Sequence, residues 1–306
     1  GYSDLAAILT NNGYKVEEKR NPTITLNLLK KYDVVVFSPC WEDRVITDSE
    51  AKAFVDYVKQ GGRLFLIGNI GVRKASKPQL HSLNKIGKSL GVQFKYVMVC
   101  DSEMHYYESK DPDEGVDLVV IIKENMINHT ITENIGSFLI NWGCSLKVTY
   151  PFKAIAFTTE NGWGDTNSQW DNSAGEWYCV EDNFEAAGKL PILAAGEIGN
   201  GKVVAIGDGG MFINAWLDDY DHKQLALNIF DWLMSKTQNN KEISIGVLVD
   251  LSGPITTYGE DIRDTLMICE EDINKYFEEK NKPLSLIHIS EPTRPLYISY
   301  AVFCLK

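Results

Sequence analysis

The chain has 306 residues, 44% hydrophobic and 24% charged, the make-up of a globular protein long enough for one large or two ordinary domains. Its formal net charge of −12 argues against nucleic acid and anionic membrane as partners. No apolar run reaches the roughly eighteen residues that a membrane-spanning helix needs.

In chain order, Ser3 is placed to cap a first helix with Leu5, Ile8 and Leu9 on its apolar face, ending near Gly13. Tyr14 to Glu18 reads as a short strand, and Thr23 as the cap of a second helix carrying Leu26, Leu28 and Leu29. Asp33-Val-Val-Val-Phe-Ser38 is a continuous apolar run, as expected of a strand covered on both faces. Thr47-Asp-Ser-Glu50 is a capping box. It opens a helix that turns Phe54, Val55 and Val58 inward and stops at Gly61-Gly62. Arg63-Leu-Phe-Leu-Ile-Gly68 is the next buried strand. Leu80, Leu83, Ile86 and Leu90 follow at helical spacing, and then a strand over Val92 to Val97. Alternation at this pace predicts an α/β fold: a doubly wound, mostly parallel, flavodoxin-like sheet.

Farther on, Val116 to Ile122 and Lys153 to Thr158 read as strands. Asn161 to Asn183, rich in Trp, Asp, Asn and Gly, reads as a long surface loop. Leu190 to Ile198 and Lys202 to Ile206 flank Gly199-Asn200-Gly201, a hairpin signal. Asp221 opens a helix through Leu225, Leu227, Ile229, Phe230 and Leu233, with Asp218, Asp219 and Asp221 favouring its N-terminus through the dipole. The polar stretch Ser235 to Lys241 marks a boundary, placing one domain over 1–237 and a linker over 238–241.

Few residues carry chemistry. Cys40, Cys100, Cys144, Cys179 and Cys269 are scattered without a C-x-x-C pair, so no zinc or dithiol motif is expected, and the thiols read as mostly buried. One disulfide stays open for an exported protein. Asp165-Thr-Asn-Ser-Gln169 alternates oxygens as a calcium loop does, but lacks the sixth-position Gly and closing Glu; no metal is expected. Trp163, Trp170 and Trp177 with Asp165 and Asp171 either line a ligand cleft or pin the loop down. Asp208-Gly209-Gly210 sits at a strand's C-terminal end, where open α/β sheets place ligands.

The run Asp33 to Ser38, the capped helix, Gly61 to Gly68 and Asn128-His-Thr-Ile-Thr-Glu133 together resemble the class I glutamine amidotransferase-like superfamily. The likeness is closest to its trehalose-utilisation type and to auxiliary domains of ABC systems. There a His-Pro-Ile-Thr motif occurs where this chain has His129-Thr-Ile-Thr132. Gly201 to Asp208, with Phe212 and Asn214, resembles the late strand and loop of those auxiliary domains. The likeness covers the first domain, with its first strand missing. A working amidotransferase needs a Cys on the elbow after the strand Leu64 to Ile67. Gly68, Asn69, Ile70 and Gly71 stand there, so a non-catalytic domain is expected, with a cleft built from Asn69, His129, Asp208 and Asn214. The rival expectation is a hydrolase using Cys40 or His129. A third is a receptor-like sensor or interaction module.

Ile243 to Val249 reads as a buried strand that delivers a loop and then an acidic helix packing through Ile262, Leu266, Cys269 and Ile273. Ile245-Gly-Val-Leu248, Leu251-Ser-Gly-Pro254, Tyr258-Gly259 and Glu270-Glu-Asp-Ile-Asn274 resemble the N-terminus of type I periplasmic binding proteins of branched-chain amino acid ABC importers. The resemblance implies a domain fragment over 242–283, with Ser252, Gly253 and Tyr258 at the ligand cleft. It implies a small polar ligand such as an amino acid, an ABC permease as partner, an extracytoplasmic location and no cofactor. Leu284 to Lys306 resembles the translation of a transposase-type sequencing adapter, with Pro295-Leu296-Tyr297 where a variable index would lie. These residues are therefore set aside from the expected fold as non-native, and the chain is read as a truncated piece of its parent.

Overall fold

The computed structural model describes residues 1–20, 22–39, 44–69, 77–106, 117–171, 176–179, 186–236, 243–249, 284–290 and 304–305. They belong to two compact units, Gly1–Thr237 and Gln238–Lys306.

In the first unit, α1 (Ser3–Asn11) and the single turn α2 (Leu26–Leu29) precede β1 (Val34–Phe37), α3 (Asp48–Lys59), β2 (Arg63–Ile67) and α4 (Lys77–Gly87). Next come β3 (Val92–Phe94), β4 (Met98–Asp101), β5 (Leu118–Ile122), β6 (Ser137–Asn141), β7 (Leu146–Val148) and β8 (Phe152–Phe157). β9 (Gly162–Asp165), β10 (Gln169–Asp171), β11 (Glu176–Tyr178) and β12 (Ala186–Ala187) lead into β13 (Pro191–Ile198), β14 (Gly201–Ile206) and α5 (His222–Met234).

The central sheet has the order β1-β2-β14-β13-β8. β2 runs parallel to both β1 and β14, whereas β13 is antiparallel to both β14 and β8. The sheet is thus mixed, where a mostly parallel one was expected. The cause is the hairpin at Gly199-Asn200-Gly201, whose Gly199 takes φ 59°. A connection this short can only return the chain antiparallel. Helices nevertheless cover both faces. Leu64, Leu66, Val203 and Ala205 pack with Phe54 and Val58 of α3 and Leu80 and Leu83 of α4. The alternate residues Phe65, Ile67, Val204 and Ile206 pack with Leu5 and Leu9 of α1 and Leu225, Ile229 and Leu233 of α5. The period of two along β2 and β14 therefore builds two cores, and each buried Val, Leu, Ile or Phe among these stabilises by about 1.5–3 kcal/mol.

The capping box forms as read: Glu50 N–H donates to Thr47 Oγ1 at 3.2 Å, and Thr47 N–H to Glu50 Oε2 at 2.9 Å. Other local expectations shift. Ser3 lies inside α1 and does not cap it; Asn214 Oδ1 instead accepts from Asp4 N–H at 3.3 Å. Thr25, not Thr23, caps α2, accepting from Leu28 N–H at 3.2 Å. Tyr14 to Glu18 forms no strand: its side chains other than Tyr14 are exposed, and among the described residues no strand pairs with it. β1 is an edge strand, leaving Val36 44% exposed instead of covered. Part of the expected surface loop is the fully buried strand β9, between β4 and β12. Its glycines hide this from a propensity reading. A Cβ on Gly164 would lie 3.1 Å from the Val97 side chain, and one on Gly162 would lie 2.3 Å from Thr158 Oγ1.

In the second unit, β15 (Ile243–Val249) lies between β16 (Leu284–Ser290), parallel to it, and β17 (Cys304–Leu305), antiparallel. β15 occupies the apolar run read as a strand, and β16 and β17 lie within the segment that resembles an adapter translation. Residues 250–283, which carry the expected loop and helix of a periplasmic-binding-protein start, lie outside the described residues.

Candidate functional site at the edge of the central sheet

β2 and β14 are parallel neighbours, so the residues that follow them meet at one edge. Gly68 and Asn69 leave β2, and Gly207 and Asp208 leave β14. Asn69 Nδ2 donates to Gln79 Oε1 of α4 at 3.3 Å. Gln79 is buried, and its Nε2 has no hydrogen-bond partner among the described residues. Asp208 is buried too, accepting from Asn141 N–H at 3.0 Å and Gly210 N–H at 2.7 Å. Burial pushes its carboxyl up to about 6, against the pull of the Gly210, Asn141, Met211 and Gly209 amides.

A residue that the sequence left among incidental thiols sits at the centre of this edge. Cys144 N–H donates to the Gly207 carbonyl at 3.0 Å, and its thiol donates to the same oxygen at 3.3 Å. The thiol is fully buried and pushed up to about 12, chiefly by burial. Its neighbours close over it. A Cβ on Gly207 would lie 1.8 Å from the Cys144 carbonyl oxygen, and one on Gly68 would lie 3.1 Å from the Cys144 sulfur. The legible signal is a glycine directly after each of two buried strands, which marks a close approach of backbone. Nothing in the sequence says that the approaching segment is Gly143-Cys144.

His129 lies elsewhere. Its Nδ1 accepts from Ile131 N–H at 3.1 Å at the start of a 3-10 turn, Thr130–Thr132. Its ring rests 5.5 Å from that of Trp232. Burial, then Lys202 and Lys153, push the imidazole down, so it stays neutral. Lys202, near the start of β14, reaches the Trp232 carbonyl at 3.1 Å. Asp208 follows the other end of that strand, so roughly 20 Å separates the two regions at ~3.3 Å per residue. The expected cleft of Asn69, His129, Asp208 and Asn214 is therefore not one site: His129 stands apart from the edge that holds Asn69 and Asp208. Asn214 fastens α1, donating to Ser3 Oγ at 2.6 Å and accepting from Asp4 N–H. Cys40, Ser252, Gly253 and Tyr258 lie outside the described residues.

A cavity of about 470 Å³ opens beside β7 and β8, lined among others by Lys95, Lys147, Phe152 and Leu190, and it holds none of the predicted site residues. Among the described residues, no helix is long and apolar enough to cross a membrane.

No family model matches the chain. A curated protein of Methanocaldococcus jannaschii, itself uncharacterized, is 50% identical over 52 residues, which is 17% of this chain and 12% of that protein. The matched stretch thus spans about an eighth of that relative's length. The mmIFT52 N-terminal domain superposes with a TM-score of 0.58 at 17% identity, over 78% of this chain and 92% of that one. A cytoplasmic protein of Salmonella typhimurium LT2, STM1381, gives 0.49 at 16% identity, over 78% and 88%. A ThuA-like protein of Bacteroides uniformis gives 0.44 at 16% identity, over 77% and 85%. At these identities the likeness is one of fold: the chain shares the α/β architecture of the mmIFT52 N-terminal domain.

Proposed function

We propose that the first unit is a non-catalytic, amidotransferase-like domain that binds or docks a partner molecule, in a protein whose second unit begins a solute-binding domain. The observation that supports this most is the sealed Cys144. At the elbow where the superfamily keeps an open thiolate, this chain has Gly68-Asn69, and the nearest described thiol hydrogen-bonds a backbone carbonyl beneath two glycines. A nucleophilic cysteine needs the thiolate, and burial of this kind suppresses it. Asn69 and the unpartnered Nε2 of Gln79 suit a binding edge.

The solute-binding reading rests on the residues of the second unit that resemble periplasmic binding proteins of ABC importers. In the protein that carries this chain, Ser252, Gly253 and Tyr258 would contribute to a cleft for an amino acid or similar small polar solute. Capture there by cleft closure would hand the solute to a permease outside the cytoplasm, with no cofactor. Calorimetry on the longest reading frame containing these residues tests it. Saturable binding of one class of amino acid, weakened at least tenfold by Tyr258→Ala, is expected. Heat-silent titrations across the amino acids would overturn the reading.

A further inference from the structure

The sequence promises no metal site, yet the strand pairing creates a set of ligands. β4 and β9 pair antiparallel with Met98 opposite Asp165 and Cys100 opposite Trp163. Side chains two apart on a strand share a face, and opposite residues share it too. Met98, Cys100, Trp163 and Asp165 therefore project together from one face of the pair. Cys179, directly after β11, reaches the same place: its sulfur lies 3.6 Å from the Met98 sulfur. The Cys100 and Cys179 sulfurs and an Asp165 carboxylate oxygen all lie within 4.8 Å of one another. Cys100 and Asp165 are buried, Cys179 is half-buried, and Trp163 and Trp142 pack with Met98 and Cys100 beside the group.

We propose that Cys100, Cys179 and Asp165 form a binding site for a thiophilic divalent cation of the Zn²⁺ class, with the Met98 thioether or a water in the fourth position. Bond lengths of ~2.3 Å to sulfur and ~2.1 Å to oxygen put tetrahedral donors roughly 3.5–3.8 Å apart. Donors already within 4.8 Å reach that spacing by side-chain rotation. Two thiolates select a soft or borderline ion over Mg²⁺ or Ca²⁺, and the carboxylate tilts the choice from Cu⁺ towards Zn²⁺. Binding displaces two thiol protons to solvent and is redox-neutral. The ion fastens Cys179, which lies beyond β11 in sequence, onto the β4–β9 face.

The test is a Co²⁺ titration of the full chain, reduced and then freed of reductant anaerobically. One equivalent should raise thiolate-to-cobalt charge-transfer absorption, and Zn²⁺ should abolish it. Cys179→Ser, at the half-exposed position, should keep the fold by circular dichroism. It should also lower the charge-transfer intensity by about half and weaken affinity by more than the roughly 100-fold that bounds outer-shell changes. Asp165→Asn should weaken affinity while leaving the charge-transfer intensity per bound ion intact. Zinc-edge X-ray absorption on the unaltered chain should count two thiolates. Absence of charge transfer, or a band that Cys179→Ser leaves unchanged, would overturn the site.

Discussion

The Cys144 thiol donates to the Gly207 carbonyl at 3.3 Å, one residue before Asp208 leaves β14 for the sheet edge. That bond puts the sulfur inside the wall of the edge, where substrate has no path to it. With burial holding it at about 12, the thiolate is negligible at neutral pH. Native protein exposed to iodoacetamide at pH 8 should leave Cys144 unmodified by peptide mapping, and denaturant should make it react at the rate of a free cysteine.

The same contact makes Gly207 a point of no tolerance. A methyl group there would meet the Cys144 carbonyl oxygen at 1.8 Å, and that oxygen belongs to the backbone. Gly207→Ala should destabilise by about 3 kcal/mol or more in urea unfolding. Gly199→Ala, at φ 59° with nothing within 4 Å, should cost only about 1 kcal/mol, since backbone conformation alone opposes it.

Asp208 gives stability an unusual pH dependence. Its carboxyl titrates at about 6 in the folded chain against an ordinary 3.8, so between those values the folded state holds more protons than the unfolded. Its contribution is complete below about 3.8 and is lost as pH rises to about 6. Asp208→Asn can accept from Asn141 or from Gly210 but not from both. It should cost about 1–3 kcal/mol at pH 7 and flatten this component of the pH profile.

His222 works in the opposite sense. Its Nε2 accepts from Leu139 N–H at 2.9 Å, and its Nδ1 faces the Trp216 carbonyl at 2.6 Å, so the ring is neutral with the proton on Nδ1. Burial lowers its pKa below the ordinary 6.5. The stability it contributes is present above 6.5 and is lost as pH falls below that, because protonation turns the acceptor for Leu139 into a donor. His222→Ala should remove this acid-side loss. It should also cost about 1–3 kcal/mol at pH 8, where Leu139 N–H is left buried without its acceptor.

What was legible followed from local chemistry. The Thr47–Glu50 box, the buried strand beginning at Arg63 and the Gly199 hairpin depend on neighbours in sequence, and each formed as read. What was not legible depends on tertiary approach. Ser3 lost its capping role to Asn214, a residue far along the chain. β9 carries glycine where a strand reading wants β-branched residues, because Val97 and Thr158 crowd it. The candidate site divides in the same way. Asn69 and Asp208 follow buried strands and share an edge, as strand-end reasoning expects. His129 was grouped with them by motif alone, yet its ring packs on Trp232 of α5, whose carbonyl takes Lys202 from the far end of β14.

Whether the sheet edge that holds Asn69 and Asp208 does covalent chemistry separates a binding domain from a hydrolase. Intact-mass spectrometry of the folded, reduced chain after prolonged exposure to an electrophilic glutamine analogue, a diazo ketone, measures this directly. No adduct at Cys144 or Cys40 of the native protein, with Cys144 reacting only after denaturation, is the predicted result. A stoichiometric adduct on native protein mapping to Cys144 or Cys40 would contradict the non-catalytic reading.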